Sequence, residues 1–277
     1  GGVLAVFVPI GDVPADSSVE LHDSDGRILA RNLVFPIRGR NGVESAVSVL
    51  GIPHNLTTGE YYLALTHLGE LLDALRPISI QAGVFLSENI SLTSNMSDLR
   101  QTEDPRRNRE AAERWQIISS VNTGSIYHTT AFGTPLSNRV RTSYFGDSRT
   151  FLYADGGIAH SVHTGIDFAA PVGTPVYSAG NGRIVFSAER LITGNSIIIE
   201  HLPGIFSIYY HLDELKVFTG EFVSEGQIVG LVGATGLVTG AHLHWEFSIG
   251  GVSVDPDAMT NFALLDKEGV FEQILVH

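Results

Sequence analysis

Three short segments in the second half of the chain restrict how it can fold, because together they carry the residue types of a metal site. They are His163–Asp167, Tyr209–Leu212 and His242–His244, and they supply four histidines and one aspartate. Catalytic zinc commonly takes three protein ligands from His, Asp and Glu and keeps a fourth position open for water. A fold in which these segments meet would provide such a ligand set, with two histidines left for acid–base chemistry.

The pair His242 and His244 lies in a run that is typical of a strand, from Ala241 to Ile249. Side chains two positions apart on a strand project from the same face. Both imidazoles are therefore expected to reach one site, while Leu243 and Trp245 face the other way and pack.

His163 and Asp167 are separated by Thr-Gly-Ile, a poor helix sequence, and Ala169–Pro171 follows closely. We therefore predict a turn leading into a strand. Gly165 is expected to allow backbone angles that a side chain would forbid, so that the segment curls both ligands inward.

A series of motifs runs from about Arg141 to Pro256, slightly under half of the chain. In these motifs the sequence resembles the M23 peptidases, the lysostaphin- and LytM-type zinc endopeptidases that cut peptidoglycan peptides. The motifs are Thr142–Gly146, His163–Val176, Asn181–Val185, Gly194–Asn195, Ile197–His201, Tyr210–Leu212, Val223–Gly230, Gly233–Gly236 and Gly240–Glu246.

The resemblance implies that His163, Asp167 and His244 hold one zinc ion per chain and that His211 and His242 form the unligated catalytic pair. It implies hydrolysis of amide bonds in peptidoglycan stem peptides or cross-links by zinc-activated water. The sequence does not say which histidine of the pair is the base, nor which bond is cut.

Two alternatives to an enzyme remain open. The first is a non-enzymatic LytM-type regulator that activates a separate cell-wall amidase. Regulators of this kind usually lack some zinc ligands, whereas no position of the pattern is missing here. The second is a structural zinc site, against which a three-ligand set with an open position argues.

Glu246 shares the strand face of His242 and His244 and has two interpretations. It can orient a metal ligand from behind, or it can be a solvated carboxylate at the end of the strand. The sequence favours the solvated carboxylate.

The pattern of strands and turns predicts a mainly β chain with four parts. Residues 1–88 are expected to form a small, immunoglobulin-like β-sandwich, because about six short strands alternate with turns such as Asp23–Gly26. Residues 89–124 are expected to form a helical linker, residues 125–258 the antiparallel β LytM-type peptidase domain, and residues 259–277 a C-terminal extension.

A helix is predicted within the linker, with Asp104 as N-cap and Pro105 in the first turn. Ala111, Trp115 and Ile118 fall on one face at helical spacing and are expected to pack on a domain. The arginines of the helix are expected to lie on a solvated face.

In some members of the family a segment upstream of the catalytic domain covers the zinc cleft. The candidates for such a role here are Asn89, Asn95, Asp98 and Asp104, with no spacing to choose among them.

Composition narrows the class of partner. A formal net charge of −13 disfavours nucleic-acid binding. The expected partner, peptidoglycan, is implied by the resemblance. The longest N-terminal apolar run, Val3–Ile10, suits a strand and is too short to span a bilayer. The chain starts at Gly1 without a signal peptide, so we expect that a signal or anchor was removed. The resemblance implies an exported protein of the periplasm or cell envelope. The oligomeric state stays open.

Overall fold

The computed structural model describes residues 1–9, 13–39, 44–138, 140–261, 263–265 and 271–272, and they are mainly β, as predicted. Most of the expected C-terminal extension lies outside the described residues. The helices are α1 Ser94–Gln101, α2 Pro105–Ile118 and α3 Pro256–Thr260. The strands are β1 Val3–Pro9, β2 Ser17–His22, β3 Ile28–Leu33, β4 Phe35–Gly39, β5 Glu44–Gly51, β6 Gly59–His67, β7 Glu70–Ile80, β8 Ser87–Ser91, β9 Arg141–Ser143, β10 Ser148–Leu152, β11 Ile158–Val162, β12 Ile166–Ala169, β13 Pro175–Tyr177, β14 Gly182–Arg190, β15 Gly194–Leu202, β16 Ile205–Leu215, β17 Phe222–Val223, β18 Ile228–Val232, β19 His242–Ile249, β20 Val252–Val254 and β21 Phe271–Glu272.

The N-terminal part contains two four-stranded sheets, with strand orders β1-β5-β4-β21 and β3-β2-β6-β7. Val19 of one sheet and Leu50 of the other belong to one buried apolar cluster, so the sheets pack face to face. This arrangement fits the predicted β-sandwich. The C-terminal strand β21 completes the first sheet by pairing with β4.

The C-terminal part is built on a ten-stranded sheet whose main path is β17-β14-β15-β16-β19-β12-β9. Strands β16, β19 and β12 lie side by side and antiparallel. Their register places Tyr210 opposite His244, and His244 opposite Asp167. Residues from three separated motifs are therefore neighbours on one sheet.

The two parts share a core. Phe35 and Val47 of the N-terminal sandwich belong to the same buried cluster as Trp245 and Phe247 of β19. The alternation predicted for β19 is confirmed, because Leu243 and Trp245 are buried in this cluster.

Helix α2 covers the opposite face of the large sheet. Asp104 caps its N-terminus as predicted and accepts a hydrogen bond from the backbone amide of Arg106. The predicted packing face is wrong in part, because Trp115 is 58% exposed and Ala111 is also exposed, whereas Ile118 is buried. The helix contacts the sheet instead through Ile118 and through the partly buried side chain of Arg114, so the arginines are not all solvated.

The segment upstream of the large sheet forms more than a helical linker. Its first strand, β8, pairs in parallel with β10, and β10 pairs with β11. Within the described residues, no helix combines the length and hydrophobicity required to cross a membrane.

Candidate metal centre

Three side chains on neighbouring segments bring potential metal ligands together. Nε2 of His163 lies 2.9 Å from Nδ1 of His244 and 3.1 Å from Oδ1 of Asp167. Nδ1 of His244 lies 2.9 Å from the same oxygen, and all three residues are buried. Asp167 and His244 face each other across β12 and β19, so their side chains share one face of the sheet.

The segment that carries His163 is a turn leading into β12, as predicted. The reason given for Gly165 was wrong, however, because its φ angle lies outside the left-handed region. A Cβ atom at this position would collide with the carbonyl oxygen of Trp245 and would lie 3.0 Å from Nε2 of His244. Glycine is therefore needed because the turn passes directly against β19.

Hydrogen bonds fix which nitrogen of His163 faces the cluster. Its Nδ1 lies 2.8 Å from the carbonyl oxygen of Tyr144 and 3.2 Å from Oγ of Ser143. A carbonyl can only accept, so Nδ1 carries the hydrogen and the lone pair of Nε2 points at the cluster. Burial lowers the pKa of His163, which keeps this ring neutral.

Asp167 uses one oxygen in the cluster and the other to hold an arginine. Its Oδ2 accepts a hydrogen bond of 2.5 Å from Nη2 of Arg149, whose Nε donates to Glu88 on β8. Burial alone would raise the pKa of Asp167, but the contacts of its Oδ1 with the rings of His163 and His244 outweigh it and hold the pKa well below its ordinary value. The carboxylate is ionised and has one oxygen directed at the cluster.

Glu246 lies behind the cluster, and its interpretation as a solvated carboxylate is wrong. The residue is 1% exposed because α2 covers this face of β19. Its Oε1 accepts hydrogen bonds of 2.6 Å from both Arg114 and Ser253, and its Oε2 accepts one of 3.2 Å from Thr164. Burial favours the neutral acid, but the Arg114 guanidinium prevails and lowers the pKa of Glu246 to about 2.

The ring of His244 is held on two sides. Its Nε2 lies 3.7 Å from Oε2 of Glu246, and the ring of Tyr210 stacks on it at a centroid distance of 5.3 Å. Arg114 also donates to Oη of Tyr210 at 2.8 Å. Burial would lower the pKa of His244, but the carboxylates of Asp167 and Glu246 raise it to about 9. This part of the site therefore favours a positive charge.

His211 and His242 lie beside the cluster without joining it. Their ring centroids are 4.9 Å apart, and Nε2 of His242 lies 3.8 Å from Oδ1 of Asp167. Their Nδ1 atoms lie 2.9 Å and 2.8 Å from the carbonyl oxygens of Thr235 and Gly240, so in the neutral form of each ring the hydrogen is on Nδ1 and the lone pair is on Nε2. Burial, with the nearby His242 and His244, lowers the pKa of His211 to about 3.

His211 has an unusual backbone conformation, with a φ angle of 64°. The left-handed region is rare for residues other than glycine, and such outliers concentrate at functional sites. The residue interrupts the pairing of β16, which runs with β19 up to Tyr210 and with β18 from Leu212. The interruption breaks the two-residue alternation of the strand at the histidine next to the cluster.

The five predicted site residues line one groove of about 540 Å³, in which four of them are buried and His242 is partly exposed. The upstream segment also reaches this groove, through Glu88, Ile90, Leu92, Met96 and Arg100. The four candidates for a covering role, Asn89, Asn95, Asp98 and Asp104, are not among the described residues that line it.

The chemistry of the donors fits a zinc ion. Two imidazole nitrogens and one carboxylate oxygen are common zinc ligands, and the described residues place three such groups here and no fourth. Ligands of a tetrahedral zinc ion at roughly 2.1 Å lie roughly 3.4 Å apart. The observed separations of 2.9 to 3.1 Å need to open by only a few tenths of an ångström.

The protein is mainly β, and one groove carries three candidate metal ligands, the number that catalytic zinc sites commonly have. Residues 161–256 match the sequence model of peptidase family M23, so this region is a domain of that family. A structure described as a peptidase M23 from Pseudomonas aeruginosa has the same overall fold, with a TM-score of 0.62 at 23% identity over 92% of both chains.

Curated relatives match the same region. Peptidoglycan DD-endopeptidase ShyC of Vibrio cholerae is 44% identical over 94 residues, which is 34% of this chain and 22% of that protein. The DD-carboxypeptidase/endopeptidase Mpg of Neisseria gonorrhoeae is 41% identical over 111 residues, which is 39% of this chain and 26% of that protein. The aligned region thus spans about a quarter of the length of these relatives.

Sequence reasoning did not find the residues that hold the ligands from behind. Arg149, Glu88 and Arg114 all precede the family match and reach the site through tertiary contacts. The two-residue alternation of β19 places Glu246 on the same face as His242 and His244. It could have indicated that Glu246 lies near the ligands, because successive positions on one face of a strand share one environment.

Proposed function

We propose that this chain is a zinc-dependent endopeptidase that hydrolyses amide bonds in peptidoglycan stem peptides or cross-links, in the periplasm or cell envelope. The observation that carries the proposal is the triangle of buried donor atoms in a groove, with two further histidines beside it. Relatives named as peptidoglycan DD-endopeptidases support the choice of substrate.

In this proposal His163, Asp167 and His244 hold the zinc ion. When bound, zinc would act as a Lewis acid and would lower the pKa of a coordinated water to near neutrality. The hydrogen bonds of His163 and the contacts of Glu246 and Tyr210 with His244 keep these ligands in place.

His211 and His242 move the protons. Each can accept a proton at Nε2 from the water that attacks the amide carbon, because its Nδ1 hydrogen is committed to a backbone carbonyl. The ring that gains the proton becomes an imidazolium and donates it to the nitrogen of the leaving amine as the carbon–nitrogen bond breaks. One proton is thereby transferred from water to the amine.

The test is the hydrolysis of purified peptidoglycan by the zinc-loaded chain, read as released muropeptides by mass spectrometry. We expect release by the wild-type chain and none by His211→Ala. His160→Ala is the matched control, because His160 is exposed on β11 and does not line the groove. No release by a chain that binds one zinc would contradict the enzyme, and stimulation of an added cell-wall amidase would then support the regulator.

A further inference from the structure

Helix α1 places an arginine in the groove whose charge is not neutralised there. The permanently charged residues that line the groove are Glu88, Arg100, Arg149 and Asp167. Arg149 pairs with both Glu88 and Asp167, so these three satisfy one another. Arg100 forms no ion pair with any carboxylate of the described residues. It is therefore the one lining cation, within the described part of the chain, that has charge available for a ligand.

The side chain of Arg100 is held in position by two contacts. Its Nε donates a hydrogen bond of 3.1 Å to Oη of Tyr153, and its Cζ lies 3.8 Å from the centroid of the Phe151 ring. Stacking on an aromatic face and a fixed Nε restrict the guanidinium to one plane. The two Nη groups make no hydrogen bond to the described residues, and a pair of parallel N–H donors matches the two oxygens of a carboxylate.

The surroundings of Arg100 would strengthen such a contact. Met96 lies one helical turn before it, and Leu92 and Phe151 also line the groove. Apolar neighbours exclude water, and charge-assisted hydrogen bonds gain strength where water is excluded. The chain as a whole has a net charge of −13 and does not attract anions generally, so an anionic ligand needs a local cation.

We propose that Arg100 is a substrate-binding residue that recognises a carboxylate of the peptide cleaved in the groove. The segment upstream of the family match would then select substrates with a free carboxylate near the scissile bond. This inference rests on the proposed function for the peptide's identity, whereas recognition of the carboxylate can be tested without turnover.

The experiment compares two forms of one cross-linked stem peptide, with free carboxylates and with carboxylates converted to methylamides. We expect kcat/KM of the zinc-loaded wild-type chain to be about 10- to 100-fold higher for the free form. Arg100→Gln should lose that preference, mainly through KM, and Arg100→Lys should restore part of it. Arg109→Gln is the control for charge, because Arg109 is exposed on α2 and does not line the groove.

A binding measurement separates this inference from the proposed function. An uncross-linked stem tetrapeptide and its methylamide are titrated into the wild-type, Arg100→Gln and Arg109→Gln chains by calorimetry. Tighter binding of the free acid that Arg100→Gln alone abolishes would support the subsite even if no peptide is cleaved. Equal binding of both forms by the wild-type chain, or an Arg100→Gln variant that keeps the preference, would overturn it.

Discussion

The ion pair between Arg114 and Glu246 gives the most demanding test of how the site is built. Arg114→Met keeps the length and helix propensity of the side chain but removes its charge. Glu246 is 1% exposed, so its carboxylate would lose the guanidinium and keep only the more distant ring of His244, at 3.7 Å, while remaining out of water. Breaking a buried pair in this way costs about 3–5 kcal/mol. We expect about 3 kcal/mol, because the Arg114 side chain is 26% exposed and some solvent screening remains.

The free energy of unfolding is measured by urea denaturation in the presence of a chelator, so that zinc does not contribute. Arg109→Met, an exposed position of the same helix, should change it by less than about 0.5 kcal/mol. The double variant Arg114→Met/Glu246→Gln should be less destabilised than Arg114→Met alone, because no buried charge is left unpaired. Equal stabilities of Arg114→Met and Arg109→Met would refute the reasoning.

The same variant should also affect the metal. Arg114 fixes Glu246 and Tyr210, and both of these contact the ring of His244. Loss of an outer partner of a metal ligand typically weakens metal binding by about 10- to 100-fold. Competition with a chromophoric chelator should show a loss of this size for Arg114→Met and none for Arg109→Met.

Three other perturbations probe single residues. His211→Gly should be about 1 kcal/mol more stable than His211→Ala in thermal unfolding, because the left-handed conformation costs alanine about 1–2 kcal/mol. His242 lacks a positive φ, so at that position the alanine variant should be more stable than the glycine variant. Gly165→Ala should weaken zinc binding in a chelator competition because the new Cβ meets the backbone of β19, whereas Gly59→Ala, where the nearest atom is 3.8 Å away, should not. Burial lowers the pKa of His201 to about 3, so between about pH 6.5 and pH 3 the unfolded chain binds a proton that the folded chain does not bind. The free energy of unfolding should therefore fall by up to about 1.4 kcal/mol per pH unit as the pH is lowered from 6.5 to 3. The fall should be less steep in His201→Gln, which lacks this group.

The parts of the site that the sequence predicted are those set by local geometry. The two-residue alternation of β19 places His242 and His244 on one face whatever surrounds the strand. The turn at Gly165 was also predicted from the local sequence, because Thr-Gly-Ile is a poor helix sequence and Pro171 follows closely. The reason why glycine is needed there was not predicted, because the close approach to β19 is a contact with a strand about eighty residues later in the chain.

The parts that the sequence did not predict depend on what covers a face. Strand periodicity shows that Glu246 shares a face with the ligands, but burial of that face depends on α2, which lies far away in the chain. The helix itself was predicted from its cap, yet its docking face was not, because it docks through Arg114 as well as through apolar residues. The left-handed conformation of His211 has no sequence signal, because a histidine in a strand is expected to be extended.

The arrangement of charges also limits what a shortened chain can show. Each carboxylate of the site is held by an arginine that precedes the family match, Asp167 by Arg149 and Glu246 by Arg114. Removing residues 1–124 to test whether the N-terminal part covers the groove would also remove Arg114 and Glu88. Glu246 would keep its hydrogen bonds to Ser253 and Thr164 but would lose its arginine. Loss of activity in such a chain would therefore report a destabilised metal centre, and point substitutions at groove-lining residues of α1 and β8 are the cleaner test of covering.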